Sequence, residues 1–342
     1  MCFHPIYFRP QSDSYSTVGA MTDQGAVEKA HRWSVPPDLQ GIRLDAFLRR
    51  CLPQLSRRVL EVAIAERLFR INAKVGRKGE ALREADVVTY HGDAAWLAVR
   101  PLPDADLPVP IVYEDDFLLV LDKPAGMATH GFSARDRGTL ANFLSARYPE
   151  LASVHAKPWE FGVAHRLDRE TSGLVLVAKS AEVFAQLRRQ FQQRQISKWY
   201  WALVWGETPK EGSINLPIAH DSADKRKMRA LAKRGGHRKN LKSWQAATHY
   251  YRLGERQGTS LLELEMFTGV THQLRVHLAA IGHPIVGDSL YGADYSERFG
   301  LQRHFLHAQR LQLHHPQTAR VVEFVAPLPA ELSSLLENLQ VS

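Results

Sequence analysis

The sequence predicts an α+β protein made of two units of unequal size, and three patterns carry that expectation. From Ile111 onward, short apolar runs such as Phe117–Leu121, Leu174–Ala178, Tyr200–Val204 and Leu261–Met266 alternate irregularly with helical patterns, which favours a mixed sheet domain. Residues 35–92 hold a shorter set of helix and strand patterns of their own. Between the two, residues 93–109 place Pro101, Pro103 and Pro108 among small and acidic residues, the composition of a semi-extended linker. The organisation expected is an N-terminal extension over residues 1–34, a small α/β unit over 35–92, the linker, a main domain over 110–330 and a C-terminal tail over 331–342.

A chain of 342 residues with 44% hydrophobic and 23% charged content can bury one large core plus a small satellite. A formal net charge of +8 and a pI near 9.5 favour association with a polyanion. Cys2 and Cys51 make neither a disulfide framework nor a zinc site, so a reducing cytoplasm is expected. No stretch stays apolar for the roughly 18 residues that a membrane span needs, and no membrane partner is expected. Residues 1–34 are polar and Pro/Ser-bearing with no apolar signal region, and are expected to be disordered, with translation starting at Met21.

In the small unit, Leu44, Phe47 and Leu48 recur at helical spacing, Pro53 interrupts, and Ser56 caps a second helix carrying Leu60, Ala63, Ile64 and Leu68. Strands follow at Phe69–Asn72 and Val87–Tyr90, with Gly76 and Gly79 in the turn between them. Cations including Arg57, Arg58, Arg67, Arg70, Lys74, Arg77 and Lys78 stud the unit. Singly, each is a solvated surface residue; as a group, a face for RNA phosphates and a solvated surface are both open readings. Leu55-Ser56-Arg57 followed by a helix and Ile64-Ala65-Glu66-Arg67-Leu68-Phe69-Arg70-Ile71-Asn72-Ala73 resembles the S4-type RNA-binding module. The pattern departs from that module at both of its glycines, replaced here by Arg67 and Ala73. Arg57 and Arg58 are the candidate RNA contacts.

The segment richest in chemistry is His165-Arg166-Leu167-Asp168-Arg169-Glu170-Thr171-Ser172-Gly173-Leu174, which runs into a strand ending at Ala178. Two arginines flank one short carboxylate just before a Thr-Ser-Gly turn, so Asp168 sits on a loop that a buried strand can hold rigid. Standing alone, such an aspartate is more often a surface ion pair than a catalyst. A protein-kinase catalytic loop is excluded because the order there is His-Arg-Asp-Leu, and no kinase Gly-rich loop, strand lysine or Asp-Phe-Gly accompanies it. No Gly-rich phosphate loop of either common type is present, which leaves a nucleotide-cofactor fold little support.

Every specified position of this segment matches His-Arg-Leu-Asp-x-x-Thr-Ser-Gly-Leu, and the chain resembles the RluA-type pseudouridine synthases in four further blocks, in order. These are Tyr113–Gly126, Lys198–Val204, Thr268–His277 continued by Gly282–Asp288, and Leu306–Pro316, so the resemblance covers roughly residues 110–330. Val270 stands where that family usually has Arg, and Thr129-His130-Gly131 varies a His-Pro ending. The resemblance implies a mixed, mainly antiparallel sheet flanked by helices and conversion of specific uridines in RNA to pseudouridine, with no cofactor and no metal. It implies Asp168 as the catalytic group, Arg275 as its ion-pair partner and Tyr200 as the ring that packs on the uracil. Tyr200 is also a candidate acceptor of the C5 proton. Arg166 would fill the space left by a flipped base, and Lys198, Thr171, His272 and Gln273 are further candidate contacts to substrate or RNA.

Period-2 alternation in Lys198–Val204 supports this placement, with Trp199, Trp201 and Leu203 on one face and Tyr200, Ala202 and Val204 on the other. Thr271 is the expected cap of a helix that runs to Ala280, with Gly282 and Pro284 beyond it. Residues 225–242 carry nine lysines and arginines and no acid, a surface for tracking phosphates. An S4-like module plus this loop leans toward large-subunit ribosomal RNA, with transfer RNA second and a monomeric enzyme expected. A non-catalytic RNA-binding or ribosome-assembly protein would have lost Asp168, Tyr200 or Arg275. A glycoside hydrolase needs two carboxylates about 5–10 Å apart across a substrate, and only Glu170 adjoins Asp168.

Overall fold

A computed structural model of the chain describes residues 31–53, 55–92, 97, 100–131, 136–155, 159–231, 242–292 and 299–340. Helices α1 (Leu44–Cys51) and α2 (Arg57–Ala65) form where apolar residues recur at three- and four-residue spacing. The Ser56 hydroxyl accepts the Val59 N–H and starts α2. Leu44, Phe47 and Leu48 from α1 meet Leu60, Ala63 and Ile64 from α2 over a four-stranded antiparallel sheet, in a hydrophobic core of their own. That sheet runs in the order β1 (Arg32–Ser34), β4 (Val87–Tyr90), β2 (Phe69–Ile71), β3 (Lys74–Val75).

Two features differ from the sequence expectation. Residues 32–34 are not part of a disordered extension: they pair with β4, and Trp33 packs against the small core. Residues 1–30 lie outside the described part. The glycine positions of the S4-type pattern keep a left-handed backbone although glycine is gone, with φ of 61° at Arg67 and 72° at Ala73. Asn72, φ 47°, and Ala73 together form the two-residue turn between β2 and β3, which demands positive φ at both places. An alanine there costs about 1 kcal/mol relative to glycine. Ala73→Gly is therefore expected to stabilise the small unit by about 1 kcal/mol, read as slower hydrogen exchange at the Phe69–Ile71 amides; unchanged or faster exchange would refute the strain.

The main sheet has nine strands, in the order β5 (Ile111–Glu114), β6 (Leu118–Lys123), β7 (Ser172–Ala178), β15 (Leu306–His314), β8 (Ser197–Trp205), β14 (Thr259–Met266), β13 (Thr248–Arg256), β9 (Glu211–Ile214), with β16 (Val321–Val325) also on β15. All neighbours are antiparallel except β7 and β15. Every residue of β7 is buried, as a central strand covered on both faces requires. Its second residue, Gly173, has φ 113°, and a Cβ there would lie 2.3 Å from the Ala308 carbonyl oxygen. Only glycine lets β7 approach β15 this closely, directly after the Asp168 loop.

Three helices of the main domain precede its last strands or lie among them: α3 (Leu140–Arg147), α4 (Ala181–Gln192) and α5 (Gln273–Ala280). A small sheet of β11 (Met228–Ala230), β10 (Ile218–His220) and β12 (Ser243–Trp244) stands beside α5, and the basic residues 232–241 between its strands lie outside the described part. The expected C-terminal tail is instead helix α6 (Ala330–Leu339), which buries Leu332, Leu335, Leu336 and Leu339 in the main core. Those leucines recur at i, i+3, i+4 and i+7, the spacing of an amphipathic helix.

Candidate active site

Asp168 lies on the loop that enters β7, and the chain holds that loop from both sides. The Thr129 hydroxyl donates to the Leu167 carbonyl and accepts the Leu167 N–H. Buried Lys123, at the end of β6, donates to the carbonyls of Pro124, Met127 and Arg169. Burial pulls its pKa down to about 7. From the other side Arg303 donates to the Glu170 carbonyl and to the Ser172 hydroxyl, and pairs with Glu331 of α6 at 2.8 Å. His304 meets the Thr171 hydroxyl at 2.8 Å, and His307 meets that of Ser172 at 2.9 Å. Burial holds the pKa values of His304 and His307 at about 3 and about 4, so both work as neutral hydrogen-bonding rings. The loop is thus preorganised, with its carboxylate free to face a cavity.

The cavity holds about 60 Å³ and is lined by Asp168, Tyr200, Arg275, His272, Arg166 and Leu306, among others. Arg275, in the first turn of α5, donates from Nη1 to Asp168 Oδ2 at 3.2 Å. Its remaining fork grips Asp288, Nε to Oδ2 at 2.7 Å and Nη2 to Oδ1 at 2.9 Å. Such a bidentate pair fixes the plane of the guanidinium, and Asp288 is itself oriented by the N–H groups of Leu290 and Tyr291. Burial alone would raise the Asp288 carboxyl pKa, but the Arg275 hydrogen bonds and charge overcome it and hold it below the ordinary carboxylate value. Tyr200 is buried on β8 with its pKa pushed up, first by burial and then by the Asp168 charge. Its hydroxyl therefore stays protonated, which disfavours the expected role as acceptor of a carbon-bound proton.

His272 occupies a left-handed turn, φ 56°, just ahead of α5. This displaces the expected Thr271 cap: no side chain caps the helix from His272, and the Gln273 amide oxygen instead accepts the Val270 N–H and the Thr268 hydroxyl. Gln273 Nε2 donates to Ala247 and Thr248, so this candidate spends both ends of its amide within the chain. The turn aims the His272 ring at Asp168, with Nε2 to Oδ2 at 3.9 Å. Its tautomer follows from its neighbours. The Met228 N–H donates to the Tyr291 oxygen at 2.8 Å, so the Tyr291 proton goes to His272 Nδ1, also at 2.8 Å. The His272 proton then sits on Nε2, facing the carboxylate. Burial outweighs the nearby Asp168 charge and lowers the His272 pKa, which favours the neutral ring.

Of the residues expected from the sequence, the structure brings Asp168, Tyr200, Arg275, Arg166, Thr171, His272 and Gln273 to this cavity. Lys198 lines a neighbouring one. Arg57 lies on α2 of the small unit, bonded to Glu61 at 2.7 Å, and Arg58 follows it there. Sequence reasoning missed Lys123, Asp288, Tyr291, Arg303 and His304. Asp288 closes the matched Gly282–Asp288 block and Lys123 lies within Tyr113–Gly126, which was the available signal for those two.

Comparison with known proteins gives a consistent result. Residues 117–280 match the RNA pseudouridylate synthase family model. The chain is 34% identical to the ribosomal large subunit pseudouridine synthase D of Nitrosomonas europaea over 95% of this chain and 91% of that one. It is 39% identical to an uncharacterized RNA pseudouridine synthase of Chloroflexus aurantiacus over 90% and 92%. Among solved structures, human RNA pseudouridylate synthase domain containing 1 superimposes with a TM-score of 0.53 at 27% identity, covering 70% of this chain and 98% of that one.

Proposed function

The chain belongs to the RNA pseudouridylate synthase family, and from that premise we propose that it converts uridines of large-subunit ribosomal RNA to pseudouridine, with Asp168 as the catalytic group. The observation that carries the role of Asp168 is the Arg275 fork, which fixes a carboxylate at the mouth of a cavity walled by a protonated tyrosine and a neutral histidine. Ribosomal RNA is supported by full-length relatives named as large-subunit enzymes. The small unit, with Arg67, Lys74, Arg77 and Lys78 along one concave face, is assigned to RNA binding. We assign the enzyme to the cytoplasm as a monomer, where Cys2 and Cys51 stay reduced.

The reaction breaks the bond from C1′ to N1 of uracil and joins C1′ to C5; C5 gives up its hydrogen as a proton and N1 gains one, with no net oxidation and the RNA strand intact. A paired uridine hides its glycosidic bond, so the nucleotide is flipped into the cavity at a cost of a few kcal/mol. Arg166, exposed at the cavity mouth, fills the vacated stack. Tyr200 packs on the uracil face. Asp168 either attacks C1′ or removes the 2′ proton; deuterium at C2′ separates the two, because only proton removal gives a primary isotope effect.

The testing experiment is a pseudouridine map of ribosomal and transfer RNA from cells lacking the gene, complemented with wild type or Asp168→Asn. Large-subunit positions restored by wild type alone are expected; loss only at transfer RNA positions would overturn the substrate assignment. The Tyr291 bridge gives a second expectation. Tyr291→Phe leaves the Met228 N–H unpaired and frees the His272 tautomer, a loss of about 1–3 kcal/mol. Turnover should fall about tenfold with little change in KM; an unchanged kcat would remove Tyr291 from the machinery.

A further inference from the structure

Next to the base cavity lies a second one of about 460 Å³, which shares Arg166, Asp168, Met266, Val270 and His272 with it. Its remaining wall includes Lys198, Arg188, Phe191 and the Thr268–Gly269 backbone. The lining holds three cations, Arg166, Arg188 and Lys198, and one carboxylate, that of Asp168 itself.

Lys198 is the unusual member. It is only 8% exposed, yet among the described residues its ammonium makes no hydrogen bond and no ion pair. Its neighbour is the Phe191 ring, with Nζ 5.5 Å from the centroid. Burial of the side chain draws the Lys198 pKa down to about 8, and the ammonium faces the cavity rather than a protein partner. Lys123 marks the contrast: with no exposure at all, it reaches three carbonyls. A buried cation left without a partner is destabilising and is kept where a ligand completes it.

Position on the strand defines the ligand. Lys198 and Tyr200 point to the same face of β8, about 7 Å apart. A nucleotide whose base rests on Tyr200 therefore places its backbone within reach of the Lys198 cavity. We propose that Lys198, with Arg188, forms an anion subsite that binds an RNA phosphodiester beside the flipped uridine. The inference rests on the assignment of RNA as substrate, and it adds which phosphate-binding group lies inside the catalytic cleft.

Lys198→Met keeps the apolar stem and removes the charge. RNA affinity is measured by titration across salt concentrations, separately from turnover, for wild type, Lys198→Met and Lys198→Arg. Lys198→Met should bind about tenfold more weakly at 0.1 M salt, and the slope of log K against log salt should shrink by about 0.7–0.9, one phosphate contact. Lys198→Arg should stay near wild type. RNA carrying a neutral methylphosphonate on either side of the target uridine supplies the second arm. At one of the two positions wild type should lose about the factor that Lys198→Met loses, with no further loss in the variant. Thermal melting separates site from scaffold: a vacant subsite predicts that Lys198→Met melts at or above the wild-type temperature. Equal affinity and slope for wild type and Lys198→Met overturns the subsite, and so does a lower melting temperature that Lys198→Arg shares. Loss of binding in Lys198→Met beside a wild type that makes no pseudouridine would leave the subsite standing and remove the catalytic assignment.

Discussion

Replacing Asp168 by Asn is expected to slow pseudouridine formation by at least about 10⁴-fold, because an amide is neither nucleophile nor base at C1′ or C2′. The change keeps the side-chain volume, and the amide oxygen can still accept from Arg275 Nη1, now 3.2 Å from Oδ2. Asp168 is partly open to solvent, with 22% of its side chain exposed, and Arg275 retains Asp288 as its main partner. Folding stability should therefore change by less than about 1 kcal/mol. Single-turnover conversion of the substrate RNA measures the first effect and thermal melting the second. A variant keeping more than about a tenth of the wild-type rate would strip Asp168 of its role.

Arg275→Met should damage both stability and rate. Asp288 has no side-chain exposure, and removing the guanidinium leaves it a buried, uncompensated charge, a loss of about 3–5 kcal/mol. Adding Asp288→Asn should recover much of that stability, since no charge is then left unpaired, while the rate stays low because nothing orients Asp168. Acid tests the same pair. The folded-state pKa of Asp288 lies below its unfolded value, so the pair's stabilisation is fully present above pH 4 and is lost as pH falls through the folded value. Chemical denaturation of wild type should weaken steeply below about pH 4, and the double variant should show a shallower dependence. A double variant as unstable as Arg275→Met would argue that packing of the arginine stem, rather than pairing of charge, sets the loss.

Local pattern and matched motifs account for much of this. Apolar spacing placed α1, α2 and the strands at Leu118, Leu174, Tyr200 and Leu261, because local periodicity and burial coincide there. The Asp168–Arg275 pair came from the motif resemblance, and the two residues stand 107 apart in sequence. Asp288 and Lys123 lie inside matched blocks, but the motifs mark the positions without saying which charge the fold will bury, and composition and spacing alone do not tell a buried charge from a solvated one. Arg67 and Ala73 departed from an expected glycine pattern, yet the fold imposes the glycine conformation and absorbs its strain. The leucines of α6 were legible at helical spacing and were passed over because the motifs stopped before them. Lys233, Arg234, Arg238 and Lys239, expected to track phosphates, lie outside the described residues.

The clamp behind the catalytic loop also has a meaning in time. Arg303, His304 and His307 bond to partners 131–135 residues earlier in the chain. A ribosome making roughly 5–20 residues per second delivers these side chains on the order of ten seconds after the Asp168 loop has emerged. Until then the loop lacks its rear support, and β7 lacks its parallel neighbour β15. The growing polypeptide is therefore expected to acquire its modifying activity late, once β15 has paired with β7 and the rear clamp has formed.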